Sequence, residues 1–240
     1  MDVFEAIKSR RSIRKFRKKP IPEQILGQIL DAARWAPSES NAQPWEFIVV
    51  KNRKIREEIA CIAAEACERA LLDKKAVERS KKICSREDFK RMVEGMGIPK
   101  IVSLLLESSG IVDIVEHLSS TKFGRELAKR MIKGAFIQAP VHIAVLMDKS
   151  KRGLCKPWTS LASVACAVQN MMLAATALGI GSHWYGSPCD HADHRMRLGK
   201  LLGIPKNYLS LGILVLGHPD IIPKSPSRKS LSEIVHKEEF

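Results

Sequence analysis

The stretch from Trp158 to Gly186 begins with a largely apolar run that contains no charged residue up to Gly179. Thr159 or Ser160 can cap the start of a helix here, and Gly179 can adopt the left-handed conformation that ends one. Small side chains occur on every face of this helix, and a helix that is apolar all round has to be buried all round. The pattern therefore predicts one long central helix against which other helices pack.

The same stretch is long enough to be a membrane span, which needs about 20 residues. Its hydrophobicity is diluted, however, because Ala contributes far less to membrane insertion than Leu or Ile. Polar side chains also interrupt it, at Ser160, Ser163, Gln169, Asn170 and Thr176. We therefore expect a core helix and no contact with a membrane.

Two amphipathic helices are predicted near the N-terminus. Asp2 can cap the first helix. The apolar stripe of that helix consists of Val3, Phe4, Ala6 and Ile7. Pro22 opens the second helix, whose apolar residues recur at helical spacing between positions 25 and 33. Each helix should therefore place one face against the core.

Three short apolar runs predict strands. The first, at 47–50, should be a short buried strand. The runs at 141–147 and 208–216 are continuously apolar, so both of their faces should be covered, by the predicted helices. His142 on the second run is interpreted as a packing residue. Together these elements predict one α+β domain over residues 1–240, with a small sheet flanked by helices.

The middle of the chain, from about 53 to 134, has the pattern of charged amphipathic helices. Examples are 55–72 and 101–118, and the breaks between helices fall at Gly95, Gly97, Pro99 and Gly110.

Near the C-terminus, Ser232 can cap a last short helix that runs through Val235.

Composition is ordinary for a soluble globular protein, with 240 residues of which 45% are hydrophobic and 5% aromatic. The net charge of +14 is not ordinary and indicates a polyanionic or phosphorylated small-molecule partner. The N-terminus lacks the layout of a signal peptide. The six cysteines form no CxxC pair, which is typical of reduced thiols. We expect a cytoplasmic protein.

One cluster of candidate metal ligands stands out, formed by Cys189, His191 and His194. The charged residues around it are typical of a solvated loop, and neither a CxxC nor an HxxxH pair supports zinc. We therefore predict no metal site.

A basic run occupies residues 10–19, where seven of ten residues are Arg or Lys. Ser12, Ile13 and Phe16 interrupt the charge, unlike in a disordered basic tail. Arg suits a phosphate because two N–H donors meet two oxygens at once. A nucleic-acid surface needs interleaved aromatic residues for stacking, and only Phe16 fits that requirement. The run favours a phosphate site.

Two further stretches carry candidate binding groups. Residues 37–45 form a polar loop of hydroxyl and amide side chains between Pro37 and Pro44, which suits a ligand with heteroatoms along one edge. Residues 179–186 place His183, Trp184 and Tyr185 between glycines, where backbone N–H groups can approach a flat ligand closely. A plain connector remains an alternative for the loop.

Four blocks of the chain resemble the nitroreductase family of FMN-dependent oxidoreductases. Residues 10–16 resemble its N-terminal phosphate-binding motif, and residues 37–50 resemble its Pro-Ser-x-x-Asn-x-Gln-Pro-Trp loop and strand. The central helix with 179–186 is similar to the third block, and 211–219 with Arg228 to the fourth. The blocks occur in the family's order, and the resemblance fades between 53 and 134.

The resemblance implies a nitroreductase-like fold with a mostly antiparallel sheet, and an intertwined homodimer with FMN at the subunit interface. It implies the following cofactor-binding residues: Arg10, Arg11, Ser12, Arg14, Pro37, Ser38, Glu39, Asn41, Gln43, His183, Trp184, Tyr185, Gly186 and Arg228.

Roles for the basic residues follow from the same resemblance. Arg10, Ser12 and Arg228 would hold the FMN phosphate, and Arg11 would lie near the ribityl chain. Arg14 would lie at the pyrimidine edge of the flavin, where a cation stabilises the negative charge that reduction places there.

The polar loop would reach the flavin from the second subunit, through Pro37, Ser38, Glu39 and Asn41. Family members often have a small residue at the position of Glu39, and an acid beside the flavin would oppose its reduction. We therefore expect Glu39 to point away to solvent. Tyr185 and Gly186 would direct backbone N–H groups towards flavin N5 and O4.

The implied function is hydride transfer from NADH or NADPH through flavin N5 to nitroaromatic, quinone or similar acceptors, in a ping-pong cycle that needs no catalytic side chain. The absence of a GxGxxG fingerprint agrees with a nicotinamide that stacks only transiently. Two alternatives are a relative that uses reduced flavin for dehalogenation or flavin breakdown, and a basic nucleic-acid-binding protein. The sequence does not choose between NADH and NADPH.

Overall fold

The computed structural model describes residues 1–83, 91, 95–96, 119–151 and 157–240. Its helices are α1 (Val3–Ser9), α2 (Glu23–Arg34), α3 (Arg53–Leu72), α4 (Lys74–Ile83), α5 (Lys122–Gln138), α6 (Pro157–Ala177) and α7 (Ala192–Leu202). Its strands are β1 (Trp45–Val50), β2 (Val141–Asp148), β3 (Gly181–Tyr185) and β4 (Tyr208–Gly217). The helix predicted at 101–118 and the breaks at Gly97, Pro99 and Gly110 lie outside the described residues.

The four strands form one antiparallel sheet in the order β1-β2-β4-β3. Strand β2 lies in the interior and is buried along its whole length, as its continuous apolar sequence predicts. Strand β1 is at the edge, where Glu46 and Val49 are exposed. The prediction that residues 47–50 are buried is therefore wrong at Val49, because an edge strand has a neighbour on one side only.

The sheet separates two apolar cores. On one side α2 packs against α6, and their contributions include Ile29 and Met171. On the other side α3 packs against α5, and their contributions include Ile59 and Phe136. Side chains of β2 alternate between the two cores. The strands are thus held from both faces, which fixes the position of the strand ends where candidate site residues lie.

His142 on β2 is fully buried in this structure. Its Nε2 lies 2.8 Å from the carbonyl oxygen of Phe136. Burial lowers the pKa of His142 to about 4, which keeps the ring neutral. These contacts agree with the predicted packing role, although Nδ1 has no hydrogen-bond partner among the described residues.

Helix α6 begins at Pro157, before the caps predicted from the sequence. Thr159 and Ser160 lie inside its first turn, where their hydroxyls donate hydrogen bonds to Glu39 (Oγ1–Oε2 2.6 Å) and to a backbone carbonyl (3.3 Å). The predicted C-terminal stop is confirmed, because Gly179 has a φ of +72°.

The outer face of α6 is exposed in the single chain. Trp158 is 64% exposed and Leu161 is 44% exposed, and Cys166 further along the helix is also exposed. The prediction that the helix is buried on all sides is therefore wrong for one chain. The sequence shows that a face is apolar, but not whether the same chain or another covers it.

Among the described residues, α6 is the helix whose length and mean hydropathy of 1.3 would suffice for a membrane span, a test that core helices of soluble proteins also pass. The inner face of α6 packs against its own chain. Val164, Val168 and Met171 are fully buried there. Asn170 also donates a hydrogen bond from Nδ2 to the carbonyl of Ala32 on α2, at 3.1 Å. On this face α6 is a core helix.

Helix α1 has the predicted N-cap. The Asp2 side chain accepts from the N–H of Glu5 (2.9 Å), and the Glu5 carboxylate accepts from the N–H of Asp2 (3.2 Å). Of the predicted apolar stripe, however, Ala6 alone is buried, while Phe4 is 71% and Val3 58% exposed. Helix α1 packs against α6, and both helices expose apolar side chains.

The C-terminal segment differs from the prediction in its cap. Ser230, and not Ser232, caps the short 3₁₀ helix Leu231–Glu233. The reason is a capping box, in which the hydroxyl and N–H of Ser230 both donate to the Glu233 carboxylate at 2.8 Å.

Candidate active site

The basic N-terminal run is fixed to the sheet beside β3. The N–H of Ile13 donates to the carbonyl of Ser182 on β3 at 3.0 Å. The side chain of Ile13 occupies the space over Gly181, where a Cβ would come within 2.8–3.0 Å of it. Further along, Phe16 is buried and the N–H of Arg17 donates to the carbonyl of His218 at 2.9 Å. The apolar residues that interrupt the charge therefore anchor the run.

This anchoring divides the basic side chains into two groups. Lys15 and Arg17 form ion pairs with Asp220, at 3.6 and 3.9 Å. Arg10, Arg11 and Arg14 have no carboxylate within 4.0 Å in the described part of the chain, so their charges are available to a ligand.

The unpaired arginines line one cavity of about 220 Å³. Its polar lining consists of Arg10, Arg11, Ser12, Arg14, Arg91, Lys224 and Arg228. All of the basic residues that the sequence assigned to the cofactor are thus brought together, including Arg228 from the far end of the chain. Acidic residues are absent from the described lining. A cavity with this lining is suited to bind an anion.

Two of the lining cations were missed by the sequence analysis. Arg91 falls in the region where the resemblance fades, and no local pattern marks it. Lys224 lies in the segment after β4, four residues before Arg228 and between Pro223 and Pro226, which also line the cavity. The two prolines limit the conformations of this segment. They were the feature of the sequence that could have pointed to Lys224 as a lining residue.

Burial lowers the pKa values of two arginines in the cavity, and repulsion between cations adds to the effect at one of them. The pKa of Arg10 is lowered, by burial first and then by Arg228 and Arg11. Burial also lowers the pKa of Arg14, whose Nη1 donates a hydrogen bond to the carbonyl of Ser12 at 3.3 Å, the one bond of its side chain within the described residues. A buried guanidinium without a carboxylate partner is costly, so an anionic ligand would stabilise this arrangement.

The polar loop is held in an unusual backbone conformation. Ser40, Asn41 and Gln43 have φ values of +50°, +53° and +45°, a region that side chains adopt at a cost. The Ser38 hydroxyl accepts from the N–H of Gln43 at 3.1 Å, and the Gln43 amide donates to Oδ1 of Asn41 at 3.2 Å. Strain of this kind is concentrated at functional sites.

The expectation that Glu39 points to solvent is wrong. Its carboxylate instead accepts a hydrogen bond from the hydroxyl of Thr159. Its carboxylate is half-buried beside the first turn of α6, where the helix dipole favours negative charge. This hydrogen bond connects the loop to the central helix and gives the Glu39 carboxylate a partner within the protein. None of the loop residues Pro37, Ser38, Glu39, Asn41 and Gln43 is in the described lining of the arginine cavity of the same chain.

Strand β3 places aromatic side chains on both faces of the sheet beside the cavity. Trp184 packs into the core of α2 and α6, whereas Tyr185 packs into that of α3 and α5. His183 and Tyr185 lie with ring centroids 3.9 Å apart. In the described part of the chain, His183 Nδ1, Trp184 Nε1 and the Tyr185 hydroxyl are buried without a hydrogen-bond partner.

The charge state of this strand follows from burial and from the arginines. The pKa of His183 is held well below its ordinary value, by burial and then by Arg14 and Arg10. Burial likewise raises the pKa of Tyr185. Both side chains are neutral at physiological pH, so they add no charge beside the cavity. Immediately after them, the Gly186 carbonyl accepts from the N–H of Cys189 at 2.7 Å, which fixes the orientation of its peptide group.

The candidate metal ligands do not converge on one point. Burial raises the pKa of Cys189 to about 12, so its thiol is protonated. Asp193 next to His194 pairs with Arg69 at 2.9 Å. Within the described residues, no group of three or more His, Cys, Asp or Glu side chains is arranged to hold a metal ion.

Comparison with known proteins identifies relatives of this chain. The model of the nitroreductase family matches residues 7–218. A protein of Methanothermobacter thermautotrophicus, described as a candidate NADH dehydrogenase/NAD(P)H nitroreductase, is 28% identical over 221 residues, which cover 91% of this chain and 78% of that protein. An iodotyrosine deiodinase of Thermotoga neapolitana is 28% identical over 218 residues, which cover 91% and 89% of the two chains.

The fold has a solved counterpart. The crystal structure of a nitroreductase with bound FMN from Desulfitobacterium hafniense matches with a TM-score of 0.62 at 22% identity, over 99% of this chain and 100% of that one. The chain belongs to the nitroreductase family. This confirms the expected α+β nitroreductase fold, the expected class of enzyme (an FMN-dependent NAD(P)H oxidoreductase) and the expected cofactor.

Proposed function

We propose that the protein is a cytoplasmic, homodimeric enzyme that reduces nitroaromatic, quinone or similar acceptors with NAD(P)H, residues 1–240 forming one FMN-binding domain. The observation that carries this proposal is the convergence of Arg10, Ser12, Arg14 and Arg228 on one cavity without described acidic residues, beside β3. The cofactor fits the residues present, because Arg10, Arg11 and Arg14 line the cavity and no carboxylate of the described chain neutralises them.

The phosphate of FMN would be held by Arg10 and Arg228, with Ser12 as a hydroxyl partner. Arg11 would contact the ribityl chain. Because Arg10 and Arg228 repel each other when the cavity holds no anion, a phosphate of charge −1.5 to −2 would relieve their repulsion. Binding of the cofactor would therefore stabilise the fold as well as the site.

Arg14 would act at the flavin ring. Among the described residues, its buried guanidinium donates a single hydrogen bond, so further N–H groups can bind a ligand. In a site of low dielectric a fixed cation stabilises developing negative charge strongly. The backbone N–H groups of Tyr185 and Gly186 would face the reacting edge of the ring, and the bond from the Cys189 N–H to the Gly186 carbonyl fixes the next peptide group, between Gly186 and Ser187.

When bound, FMN supplies the N5 position that accepts hydride from the nicotinamide and then passes two electrons to the acceptor, in a ping-pong cycle. The chain's own residues bind and orient the cofactor, and protons can come from water. His183 stays neutral beside the two arginines and so serves as an uncharged wall of the site.

The homodimer is supported by two features of the single chain. The strained loop from Pro37 to Gln43 lies outside the arginine cavity of its own chain, so it is available to complete the site of a partner. In addition, α1 and α6 pack against each other and both expose large apolar side chains, and monomeric soluble proteins rarely expose large apolar patches.

Reductive dehalogenation is a second candidate function. The iodotyrosine deiodinase of Thermotoga neapolitana matches this chain over nearly its whole length, and its identity of 28% equals that of the nitroreductase-like relative. Nucleic-acid binding is less well supported, because the described cations beside β3 line a cavity and are not interleaved with aromatic residues on an open face.

The first experiment is the visible absorption spectrum of the purified protein, with identification of the released cofactor. We expect the bands of oxidised flavin, release of FMN on denaturation, and bleaching by NADPH or NADH without air. A protein that stays colourless after titration with FMN would contradict the proposal.

Anaerobic turnover then separates the two candidate functions. Nitrobenzene, a benzoquinone and an iodinated phenol are supplied in parallel to the reduced enzyme. Consumption of the first two favours the nitroreductase-like function, and release of iodide from the third favours dehalogenation. Salt-dependent binding of DNA by a protein without flavin would support the nucleic-acid alternative instead.

The proposed dimer is tested by Leu161→Glu. A carboxylate on the exposed apolar face of α6 would have to be desolvated at the interface, so we expect the dimer dissociation constant to rise at least about tenfold. Analytical ultracentrifugation measures it. Leu72→Glu, at an exposed leucine at the end of α3, is the matched control and should leave the dimer intact. An equal effect of both variants would contradict this interface.

A further inference from the structure

A second cavity lies between α7, the turn that follows this helix and the first residues of β4. Its volume is about 500 Å³, against about 220 Å³ for the arginine cavity, and the two cavities share no described lining residue. Proteins bind small organic molecules in cavities of about 300–1,000 Å³. The proposed function makes no use of this second cavity.

The charged side chains in the described lining of the second cavity are all positive. They are those of Arg195, Lys200 and Lys206, and none of the three has a carboxylate within 4.0 Å in the described part of the chain. Asp193 and Arg197 each lie two residues from Arg195, on the other side of α7, and both form ion pairs with residues of α3. The charges of α7 are thus paired on one side, whereas cations without a carboxylate partner line the cavity.

Arg195 is held in one orientation at this cavity. Its Nη1 donates to the carbonyl of Cys189, at the end of the short 3₁₀ helix Ser187–Cys189, and this is the one hydrogen bond of its side chain within the described residues. A guanidinium can bind both oxygens of a carboxylate at once, through two parallel N–H donors. Arg195 therefore offers an already oriented cation to an anionic ligand.

The rest of the lining is largely apolar and leaves space over one helical glycine. Met196, Ile204, Pro205 and Leu209 contribute apolar side chains. Gly199 on α7 also lines the cavity, and a Cβ there would meet no atom within 4 Å. Alanine would stabilise the interior of a helix relative to glycine, so the absent side chain costs stability and enlarges the cavity.

We propose that the second cavity binds an organic carboxylate with an apolar body, the carboxylate at Arg195 and Lys200 and the body over Gly199. The cations select an anion, and the apolar lining selects against a small hydrated anion, which would lose its hydration without filling the cavity. This site goes beyond the proposed function, because it lies outside the arginine cavity and takes a different ligand.

The test uses FMN-loaded protein with ¹³C-labelled methionine methyl groups, titrated with octanoate, octanamide and acetate. Octanoate should shift the NMR signal of Met196, which lines the cavity, and leave that of Met131 on α5 unchanged. We expect octanoate to bind at least about tenfold more tightly than octanamide, which lacks the charge, and than acetate, which lacks the apolar body.

Two variants and two matched controls locate the site. Gly199→Leu should fill the cavity and weaken octanoate binding at least about tenfold. Lys200→Gln should weaken it about three- to fivefold, the effect of one surface charge pair. The controls are Gly27→Leu on α2, where a Cβ also meets no atom within 4 Å, and Lys54→Gln at an exposed lysine of α3. Both controls should keep the wild-type affinity, and all four variants should keep the wild-type FMN content.

Equal binding of octanoate and octanamide, or equal losses in Gly199→Leu and Gly27→Leu, would overturn the inference. A Met196 signal that octanoate leaves unchanged, but that a Glu-rich peptide shifts, would overturn it in favour of an acidic protein segment. Because the titration is read at Met196 and not from turnover, its result does not depend on which acceptor the enzyme reduces.

Discussion

Replacing Arg10 with Ala is expected to weaken FMN binding about 100-fold. Hydrogen bonds to charged groups contribute about 1.5–3 kcal/mol each, and a bidentate guanidinium lies at the upper end of that range. A loss of about 3 kcal/mol corresponds to roughly a 100-fold change in dissociation constant. Fluorescence quenching of FMN on titration with apo-protein measures it directly.

The apo-protein should tolerate the same substitution. Arg10 has no carboxylate partner in the described chain, and it lies beside Arg11 and Arg228, which repel it. The melting temperature of the apo-protein should therefore stay the same or rise when Arg10 is removed. Loss of cofactor affinity without loss of stability is the mark of a residue placed for its ligand.

Arg17→Ala is the control for this prediction. Arg17 belongs to the same basic run but pairs with Asp220 and does not line the cavity. We expect its FMN affinity to change less than about threefold, as for a surface ion pair. If both variants lose affinity equally, the cofactor responds to the charge of the run as a whole and not to the cavity.

The features that could be predicted from the sequence are those fixed by local rules. Asp2 caps α1 through a contact three residues away, and Gly179 ends α6 because a left-handed position favours glycine. Strand β2 is buried as predicted, because a strand of uninterrupted apolar residues is apolar on both faces and neither face is suited to contact with water. Ser230 belongs with these features, since its spacing from Glu233 was a readable capping-box signal that was missed.

The features that could not be predicted depend on contacts between distant parts of the chain. The position of Glu39 is set by Thr159, 120 residues away, and no local pattern links the two. Lys224 joins the cavity because the segment after β4 is bonded to the N-terminal run, where the N–H of Asp220 donates to the Lys15 carbonyl at 3.0 Å, and Arg91 joins it from a distant part of the chain. The exposed face of α6 shows a further limit, because composition alone does not reveal which chain will cover an apolar surface.

Gly212→Ala should destabilise the protein by about 3 kcal/mol or more. Gly212 lies on β4 with a φ of +153°, which only glycine adopts readily. An added Cβ would come within 2.4 Å of Trp184 Nε1 and 2.6 Å of the Tyr185 carbonyl oxygen. Overpacking and backbone strain each cost about 1–3 kcal/mol, and relaxation would have to move the backbone of β3. Thermal unfolding should show a decrease of about 10 °C in melting temperature.

The same substitution should also weaken cofactor binding, because the backbone that has to move is that of Tyr185, beside the proposed flavin edge. Gly134→Ala in α5 is the matched control, since a Cβ there would meet no atom within 4 Å. In a helix interior it should stabilise the protein by about 0.5–1 kcal/mol. If Gly212→Ala is as stable as the wild type, β3 and β4 can separate at this point without cost. The sheet would then not be what holds the Tyr185–Gly186 peptide in place.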